Sequence, residues 1–292
     1  MNPPDPQPLQ KEKPTAAVAD EGAPLERKRE ERLIFDVGMH TGQDTDFYLK
    51  KGFKVVGIEA NPRLAAQCAA RFRSEIDQQR LIILNLAIAR QPATLPFYIN
   101  LTHSEWSSLD PELGMREGRF ETIDVPTVTL ASIFNRHGVP YYLKIDIEGY
   151  DDIALESLAT TRIKPRFVSV ESPHRSTLEY LQAQSYSRFK FINQAQVRKM
   201  RCPRPAREGM YVRYQFEFGS SGPFGEESVG PWLSAEEVAR AIDAYWGNPK
   251  LNPAVDGWFD LHAAMAEPAD SPAQTAGVWR RLKARWHKAD LH

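Results

Sequence analysis

The sequence has few cysteines, almost no net charge and no long apolar run. Its two cysteines, Cys68 and Cys202, lie far apart, which argues against a disulfide framework or a cysteine-based metal site. The formal net charge of -1 gives no support to binding through broad neutralisation of phosphates, so we expect neither a nucleic-acid partner nor a membrane surface. No apolar stretch approaches the roughly 18 residues that span a bilayer, and no early run resembles a signal peptide. These absences favour a cytoplasmic protein.

The composition divides the chain into three parts. Residues 1–30 combine several prolines with mixed charges and little apolar surface, which predicts a disordered leader. From residue 31, short apolar runs alternate with amphipathic segments, as in a parallel sheet with crossover helices. We expect one domain over residues 31–220 and a C-terminal loop and helical extension over residues 221–292.

Local signals predict several elements of this domain. LIFDV predicts a strand followed by a helix from about Gln43 to Lys51, and NPRLAAQCAARF predicts a helix with Asn61 as N-cap. KVVGIE, LIILNLAI, YYLKIDIEG and RFVSVES predict buried strands. MYVRYQFEF, residues 210–218, alternates strictly between apolar and polar residues and predicts a late antiparallel strand.

The last part of the sequence carries helix signals. Ser234 and Glu237 form a predicted capping box for a helix that ends at Gly247. In residues 278–288, VWRRLKARWHK, arginines and lysines surround two tryptophans and a leucine. We interpret this stretch as a plain terminal helix, with a surface-seeking or partner helix as the alternative.

The stretch LIFDVGMHTGQDT, residues 33–45, has the pattern of a ligand-binding turn. A strand, a glycine turn and a helix bring backbone close to a ligand. Gly38 and Gly42 bracket the turn, and Asp36 precedes it near the strand end. Glu59 follows about twenty residues later at the end of the second strand, where an acid can accept hydrogen bonds from ribose hydroxyls. The combination fits dinucleotides and S-adenosylmethionine.

The spacing inside the turn favours S-adenosylmethionine over NAD. A dinucleotide turn reads G-x-G-x-x-G, whereas here Met39, His40 and Thr41 separate two glycines. Asp36 would repel a pyrophosphate but suits the ammonium group of a methionine moiety. A turn that serves only chain reversal remains open. His40 could be a donor or a base, although a hydrogen bond to local backbone is the simpler interpretation.

A second informative stretch is YYLKIDIEGYD, residues 141–151. Asp146 and Glu148 end a buried strand, and the carboxyl ends of such strands face the ligand crevice of an open α/β sheet. Lys144 would be costly to bury unless it is paired. Glu148 could pair with it or cap the next helix. Alternatively, Asp146, Glu148 and Glu171 could bind Mg²⁺, which prefers oxygen ligands.

Taken together, these segments resemble the FkbM-type methyltransferases, within the class I S-adenosylmethionine-dependent methyltransferases. The matching pieces are FDVGMHTG, VVGIEANP, LNLAIA, Ser107-Ser108, VPTVTL and LKIDIEGYD, in the right order between about Leu33 and Glu171. The resemblance implies a Rossmann-like, doubly wound α/β fold. Its mostly parallel seven-stranded sheet would have an antiparallel late strand and helices on both faces.

The resemblance also implies a set of site residues. Cofactor contacts are expected at Asp36, Gly38, His40, Gly42, Glu59, Ala60, Asn61, Asn85, Ala87, Ser107, Ser108 and Asp146. A hydroxyl that attacks a sulfonium methyl must lose a proton. Asp146 is the first candidate base, and Glu171 and His174 are the next.

The expected function is O-methylation of a hydroxyl on a sugar, glycan or secondary metabolite. A methylase of nucleic-acid bases would show a Pro-Pro-aromatic stretch after the fourth strand, and DIEGYD lacks it. An NAD(P)-dependent oxidoreductase and a non-catalytic, cofactor-binding interaction module are the alternatives.

Overall fold

The structure, a computed structural model, describes residues 28–252 and 256–266. The strands are β1 Arg29–Val37, β2 Lys54–Ile58, β3 Leu81–Leu84, β4 Ala87–Ile88, β5 Ala93–Asn100, β6 Phe120–Val128, β7 Val139–Ile145, β8 Phe167–Glu171, β9 Tyr186–Asn193 and β10 Phe259–Met265. The α-helices are α1 Gln43–Lys50, α2 Pro62–Arg71, α3 Arg73–Asp77, α4 Pro111–Gly114, α5 Leu130–His137, α6 Asp151–Glu156, α7 Arg175–Ala183 and α8 Ala235–Trp246.

A seven-stranded sheet with the order β3-β2-β1-β7-β8-β10-β9 forms the centre of the molecule. Neighbouring strands from β3 to β8 are parallel, and β10 is antiparallel to both β8 and β9. This confirms the expected α/β fold with a mostly parallel sheet and one late antiparallel strand. The carboxyl ends of the parallel strands therefore meet along one edge, where ligands bind in such folds.

The two faces of the sheet are covered by separate apolar clusters. Successive strand residues alternate between them, so that Ile34 belongs to one cluster and Phe35 to the other. Phe47 of α1 packs in the first cluster, whereas Phe134 of α5 and Leu178 of α7 pack in the second. Burial on both faces explains why the strands read as continuous apolar runs.

The antiparallel strand is not the segment that the alternation indicated. Residues 210–218 form no strand. Instead, Tyr214 and Phe216 pack on Phe47 of α1, each with its ring centroid 4.9 Å from that of Phe47. The alternation of apolar and polar residues thus arises because one side of an irregular segment packs on α1. The true strand is β10, which has five consecutive buried residues, among them the polar Asp260 and His262.

Beyond residue 220, where we expected the domain to end, β10 joins the same sheet between β8 and β9. At the other end, β1 begins at Arg29, inside the predicted leader of residues 1–30. Residues 1–27 and the predicted helix 278–288 lie outside the described residues.

A smaller sheet with the order β4-β6-β5 lies after β3 in the chain. The run LIILNLAI, expected as one strand, is divided between the two sheets. The division falls at Asn85, whose side-chain amide donates hydrogen bonds to the carbonyls of Glu59 at 2.8 Å and Ala60 at 3.1 Å. These bonds tie the point where the chain leaves the main sheet to the end of β2.

Helix caps follow the sequence signals. The Asn61 side chain accepts a hydrogen bond from the Arg63 amide at 3.0 Å, and Ser234 and Glu237 form the expected reciprocal capping box of α8. Within residues 28–252 and 256–266, we find no helix with the length and apolar character needed to cross a membrane.

Candidate active site

The glycine turn after β1 allows an unusually close approach of two strand ends. Gly38 has a φ of 82°, and a Cβ built on it would lie 1.8 Å from the carbonyl oxygen of Asp146. The amides of Gly38 and Met39 both donate to the carbonyl of Ile58 at 3.0 Å. The turn therefore joins the carboxyl ends of β1, β2 and β7, and glycine is required at its first position.

Glu59 is held at the end of β2 by two backbone donors. Its carboxylate accepts hydrogen bonds from the amides of His40 and Asn61, both at 2.8 Å. Burial raises the pKa of Glu59 to about 7, against which these two hydrogen bonds act. The side chain is thus fixed beside the turn, and its oxygens retain lone pairs for further donors such as sugar hydroxyls.

Below the turn, Lys144 binds several carboxylates at once. Its Nζ lies 3.3 Å from Asp36 Oδ1, 3.3 Å from Asp146 Oδ2 and 3.8 Å from Asp44 Oδ2. It also donates a hydrogen bond to the Gly38 carbonyl at 3.1 Å. Lys144 therefore connects the starts of the turn and of α1 with the end of β7.

A cavity of about 550 Å³, including its open mouth, lies at this edge of the sheet. Its lining includes seven of the expected cofactor residues, namely Gly38, His40, Glu59, Ala60, Ala87, Ser107 and Asp146. Apolar side chains from the small sheet and nearby loops complete one wall: Leu86, Ile88, Phe97 and Leu109. An apolar wall with a few convergent polar groups is typical of a small-molecule site.

The remaining expected cofactor residues do not line the cavity. Asp36 is completely buried and accepts a hydrogen bond from the Thr45 hydroxyl at 2.7 Å. Gly42, Asn61 and Asn85 support the backbone around the turn and the end of β2. The Ser108 hydroxyl donates to the Glu148 carbonyl at 2.6 Å. These residues shape the site from behind its surface.

His40 connects the turn to the loop that covers the cavity. Its Nε2 lies 2.8 Å from Ser104 Oγ, in a short 3-10 helix of residues Ser104–Trp106. Burial lowers the pKa of His40, although nearby carboxylates oppose the shift. The side chain thus contacts a covering loop, whereas the simpler sequence interpretation placed its hydrogen bond on local backbone.

Asp146 and Glu171 form a carboxyl pair at the ends of β7 and β8. Burial and the charges of Asp146 and Glu148 raise the pKa of Glu171 well above its ordinary value, and a hydrogen bond to Asp146 contributes. The Asp146 side chain is 31% exposed and lines the cavity, whereas Glu171 lies behind it.

The other expected acid and base groups lie in different surroundings. Glu148 lines the cavity and pairs with Arg116 at 2.8 Å, not with Lys144. Burial raises the pKa of Glu148 to about 8, although Arg116 opposes the shift. His174 is exposed and stacks on Trp246 with ring centroids 4.6 Å apart. His174 is therefore not among the cavity residues.

Some residues that shape the site carry no strong sequence signal. Asp151 accepts hydrogen bonds from the amides of Ile147 and Gly149, so it fixes the loop after β7. Its only signal is its place in DIEGYD. Arg116 lies in an irregular loop, and nothing in the sequence links it to Glu148. In the described part of the chain, no group of His, Cys, Asp or Glu side chains could hold a metal ion.

Comparison with known proteins gives a family match. The model of the methyltransferase FkbM domain matches residues 36–194, which is more than half of the chain. No curated protein matches.

Solved structures similar to this chain include several methyltransferases. Methyltransferase FkbM from Methylobacillus flagellatus KT is 14% identical with a TM-score of 0.39, over 58% of this chain and 42% of that chain. This chain thus spans about two fifths of that relative. Precorrin-6y C5,15-methyltransferase from Geobacter metallireducens GS-15 is 8% identical with a TM-score of 0.34, over 82% of both chains. The [4+2]-cyclase SpnF is 11% identical with a TM-score of 0.34, over 81% of this chain and 75% of that chain. On the strength of the family match over residues 36–194, the chain belongs to the FkbM methyltransferase family.

Proposed function

We propose that the protein transfers a methyl group from S-adenosylmethionine to a hydroxyl oxygen of a sugar, glycan or secondary metabolite. The observation that carries this proposal is the placement of Glu59 and Asp146 on one cavity, at the carboxyl ends of β2 and β7. An acid at the first position suits ribose hydroxyls, and an exposed carboxylate at the second can accept a proton.

The cavity fits the cofactor that the family implies. Its lining combines apolar side chains with a few polar groups, as is common for small-molecule sites. The apolar wall of Leu86, Ile88 and Phe97 suits an adenine ring, and the Glu59 carboxylate lies close to it. When bound, the cofactor supplies an electrophilic methyl group on a positively charged sulfur.

Asp146 is the group best placed to accept the proton of an attacking hydroxyl. It lines the cavity, while Lys144 places a positive charge 3.3 Å from its Oδ2. Glu171 hydrogen-bonds Asp146 from the end of β8 and so holds its side chain in place. We therefore assign Asp146 as the base and Glu171 as a positioning residue. His174, stacked on Trp246, has no part in this proposal.

The loop after β7 supports a hydroxyl acceptor. DIEGYD contains no Pro-Pro-aromatic stretch that would hold an extruded nucleic-acid base. We propose no role for Mg²⁺ in the reaction. Turnover measured with and without a chelator tests whether the enzyme needs the ion.

Calorimetric titration with S-adenosylhomocysteine and, separately, with NAD tests the cofactor. We expect S-adenosylhomocysteine to bind and NAD to give no signal. Binding of neither compound, or of NAD alone, would contradict the proposal.

Transfer of label from methyl-labelled S-adenosylmethionine to a panel of hydroxyl compounds then tests the reaction. Cofactor binding without transfer to any member would favour a non-catalytic, cofactor-binding module.

A further inference from the structure

An aromatic pair of the exposed Phe218 and the partly buried Trp258 lies outside the cavity described above. Phe218 is 55% exposed, and its ring centroid is 5.0 Å from that of Trp258 at an interplanar angle of 72°. The guanidinium carbon of Arg198 lies 5.8 Å from the Phe218 centroid. Single exposed apolar side chains are common, so the position of this pair decides its meaning.

Trp258 lies at the ligand edge of the sheet. It directly precedes β10, and its carbonyl accepts a hydrogen bond from the Gln194 amide at 2.8 Å, just after β9. The carbonyl of the next residue, Phe259, accepts one from Ser172 at 2.9 Å, just after β8. The backbone at Trp258 is therefore anchored between the carboxyl ends of β8 and β9.

Phe218 is connected to the glycine turn by the start of α1. The side-chain amide of Gln43 donates to the Phe218 carbonyl at 3.5 Å, and it also hydrogen-bonds the His40 side chain. The amide of Ser221 donates to both carboxylate oxygens of Asp44 at 3.0 Å. Asp44 in turn neighbours Lys144, which contacts Asp146. The aromatic pair is thus linked to the cavity through short contacts.

The order of the strands places Trp258 on the side of Asp146 that is opposite to Glu59. Across the sheet edge, Glu59 of β2 comes first, followed by Asp146 after β7, Glu171 of β8 and Trp258 before β10. The cavity extends from Glu59 to Asp146. If the cofactor fills that part, an acceptor can reach Asp146 from the side of β8 and β10, where the aromatic pair lies.

We propose that the aromatic pair and Arg198 form the acceptor subsite, and that the acceptor is a hydroxylated ring with an anionic group, of the sugar-phosphate class. This inference rests on the proposed function. Aromatic rings offer flat apolar surfaces to the carbon-bound hydrogens of a sugar ring, which leaves its hydroxyls free at the rim. A guanidinium binds phosphate through several donors, and Arg198 has no ion pair with any residue that the structure describes.

To test this, the full chain is saturated with S-adenosylhomocysteine and titrated with three probes by isothermal titration calorimetry. The probes are glucose 6-phosphate, methyl β-glucopyranoside and inorganic phosphate. We expect glucose 6-phosphate to bind most tightly. Phe218→Ala should weaken both sugars about fivefold or more, whereas Arg198→Ala should weaken glucose 6-phosphate alone by about tenfold.

Phe120→Ala is the matched control, since Phe120 is an aromatic residue with 46% exposure on the small sheet. It should leave the affinity for all probes unchanged. If S-adenosylhomocysteine binds but glucose 6-phosphate does not, or if it binds no better than phosphate, the subsite is wrong while the proposed function stands. Equal affinity for glucose 6-phosphate in wild type, Phe218→Ala and Arg198→Ala would also overturn it. Failure to bind S-adenosylhomocysteine would instead count against the proposed function.

Discussion

At the level of single residues, Lys144 organises the charges of the site. Burial alone would lower the pKa of Lys144, but attraction to Asp146, Asp36 and Asp44 raises it well above its ordinary value. A buried ammonium needs such partners, because loss of its hydration costs several kcal/mol. Three aspartates are the partners that a buried lysine was expected to need. Glu148, the partner considered from the sequence, pairs with Arg116 instead. Lys144 thus keeps a positive charge next to the proposed base.

Replacement of Asp146 by Asn tests the assignment of the base. The amide keeps the size of the side chain but cannot accept the proton, so kcat should fall by about 10²–10⁴-fold. Because Asp146 makes no part of the ribose contact, affinity for S-adenosylhomocysteine should change by about threefold or less. Steady-state rates and calorimetry measure the two effects. Glu171→Gln is the companion variant, expected to reduce kcat less than Asp146→Asn; unchanged turnover in Asp146→Asn would exclude Asp146 as the base.

Replacement of Glu59 by Gln tests the ribose contact. Glu59 is buried and aimed into the cavity between two backbone donors. An amide at this position can use only one oxygen as an acceptor, so S-adenosylhomocysteine should bind about 10–100-fold more weakly. Calorimetry gives the affinity, and thermal unfolding of the free protein checks that the variant folds. Wild-type affinity in a folded Glu59→Gln variant is incompatible with the proposed role.

At the level of elements, local signals and long-range packing differ in how far the sequence reveals them. The glycine turn and the Asn61 cap were predictable because each depends on a few consecutive residues. The strand β10 was missed because it is short: Phe259, Leu261 and Ala263 alternate with Asp260 and His262 over only five residues. Segment 210–218 was wrongly predicted as a strand. Its alternation shows that one side is apolar, but it does not show whether that side packs in a sheet or on a helix. The neighbours of Lys144 depend on sheet order, which no local pattern encodes.

The close approach at the glycine turn gives a stability prediction. Gly38→Ala adds a Cβ that would lie 1.8 Å from the Asp146 carbonyl oxygen at a φ of 82°, and we expect it to lower the free energy of unfolding by about 3 kcal/mol or more. Gly230→Ala is the matched control, since Gly230 has a φ of 81° but no atom within 4 Å of the added Cβ. It should cost only about 1 kcal/mol. Urea unfolding measures both, and equal losses would show that the contact with Asp146 adds nothing to the backbone strain.

At the level of the whole molecule, the proposed cofactor site and the proposed acceptor subsite lie on two halves of one sheet edge. The half over β2, β1 and β7 holds the cavity with Glu59, and the half over β8, β10 and β9 carries the aromatic pair. Asp146 lies between them. This arrangement places the proposed base where a bound cofactor and an approaching acceptor would meet. It also concentrates several buried carboxyl groups in a small region.

Those buried carboxyl groups predict how stability depends on pH. Burial raises the pKa of Glu59 from 4.5 to about 7 and that of Asp151 from 3.8 to about 7. Both groups therefore bind protons more tightly in the folded state than in the unfolded state. Their contribution to stability is fully present below their ordinary pKa values and is lost as the pH rises toward about 7. We expect the melting temperature to fall between pH 5 and pH 8, which thermal unfolding in buffers of constant ionic strength measures.

The Glu59→Gln variant isolates one of these groups, because glutamine has no proton to lose in this range. Its melting temperature should fall less steeply than that of the wild type between pH 5 and pH 8, and the two curves should converge in slope above the pKa of about 7. Glu236→Gln is a suitable control, since Glu236 is exposed in the first turn of α8 and should leave the slope unchanged. A wild-type slope in Glu59→Gln would mean that Glu59 titrates alike in the folded and unfolded chain. The carboxylate would then already be charged in the empty site, and cofactor affinity would not change as the pH crosses 7.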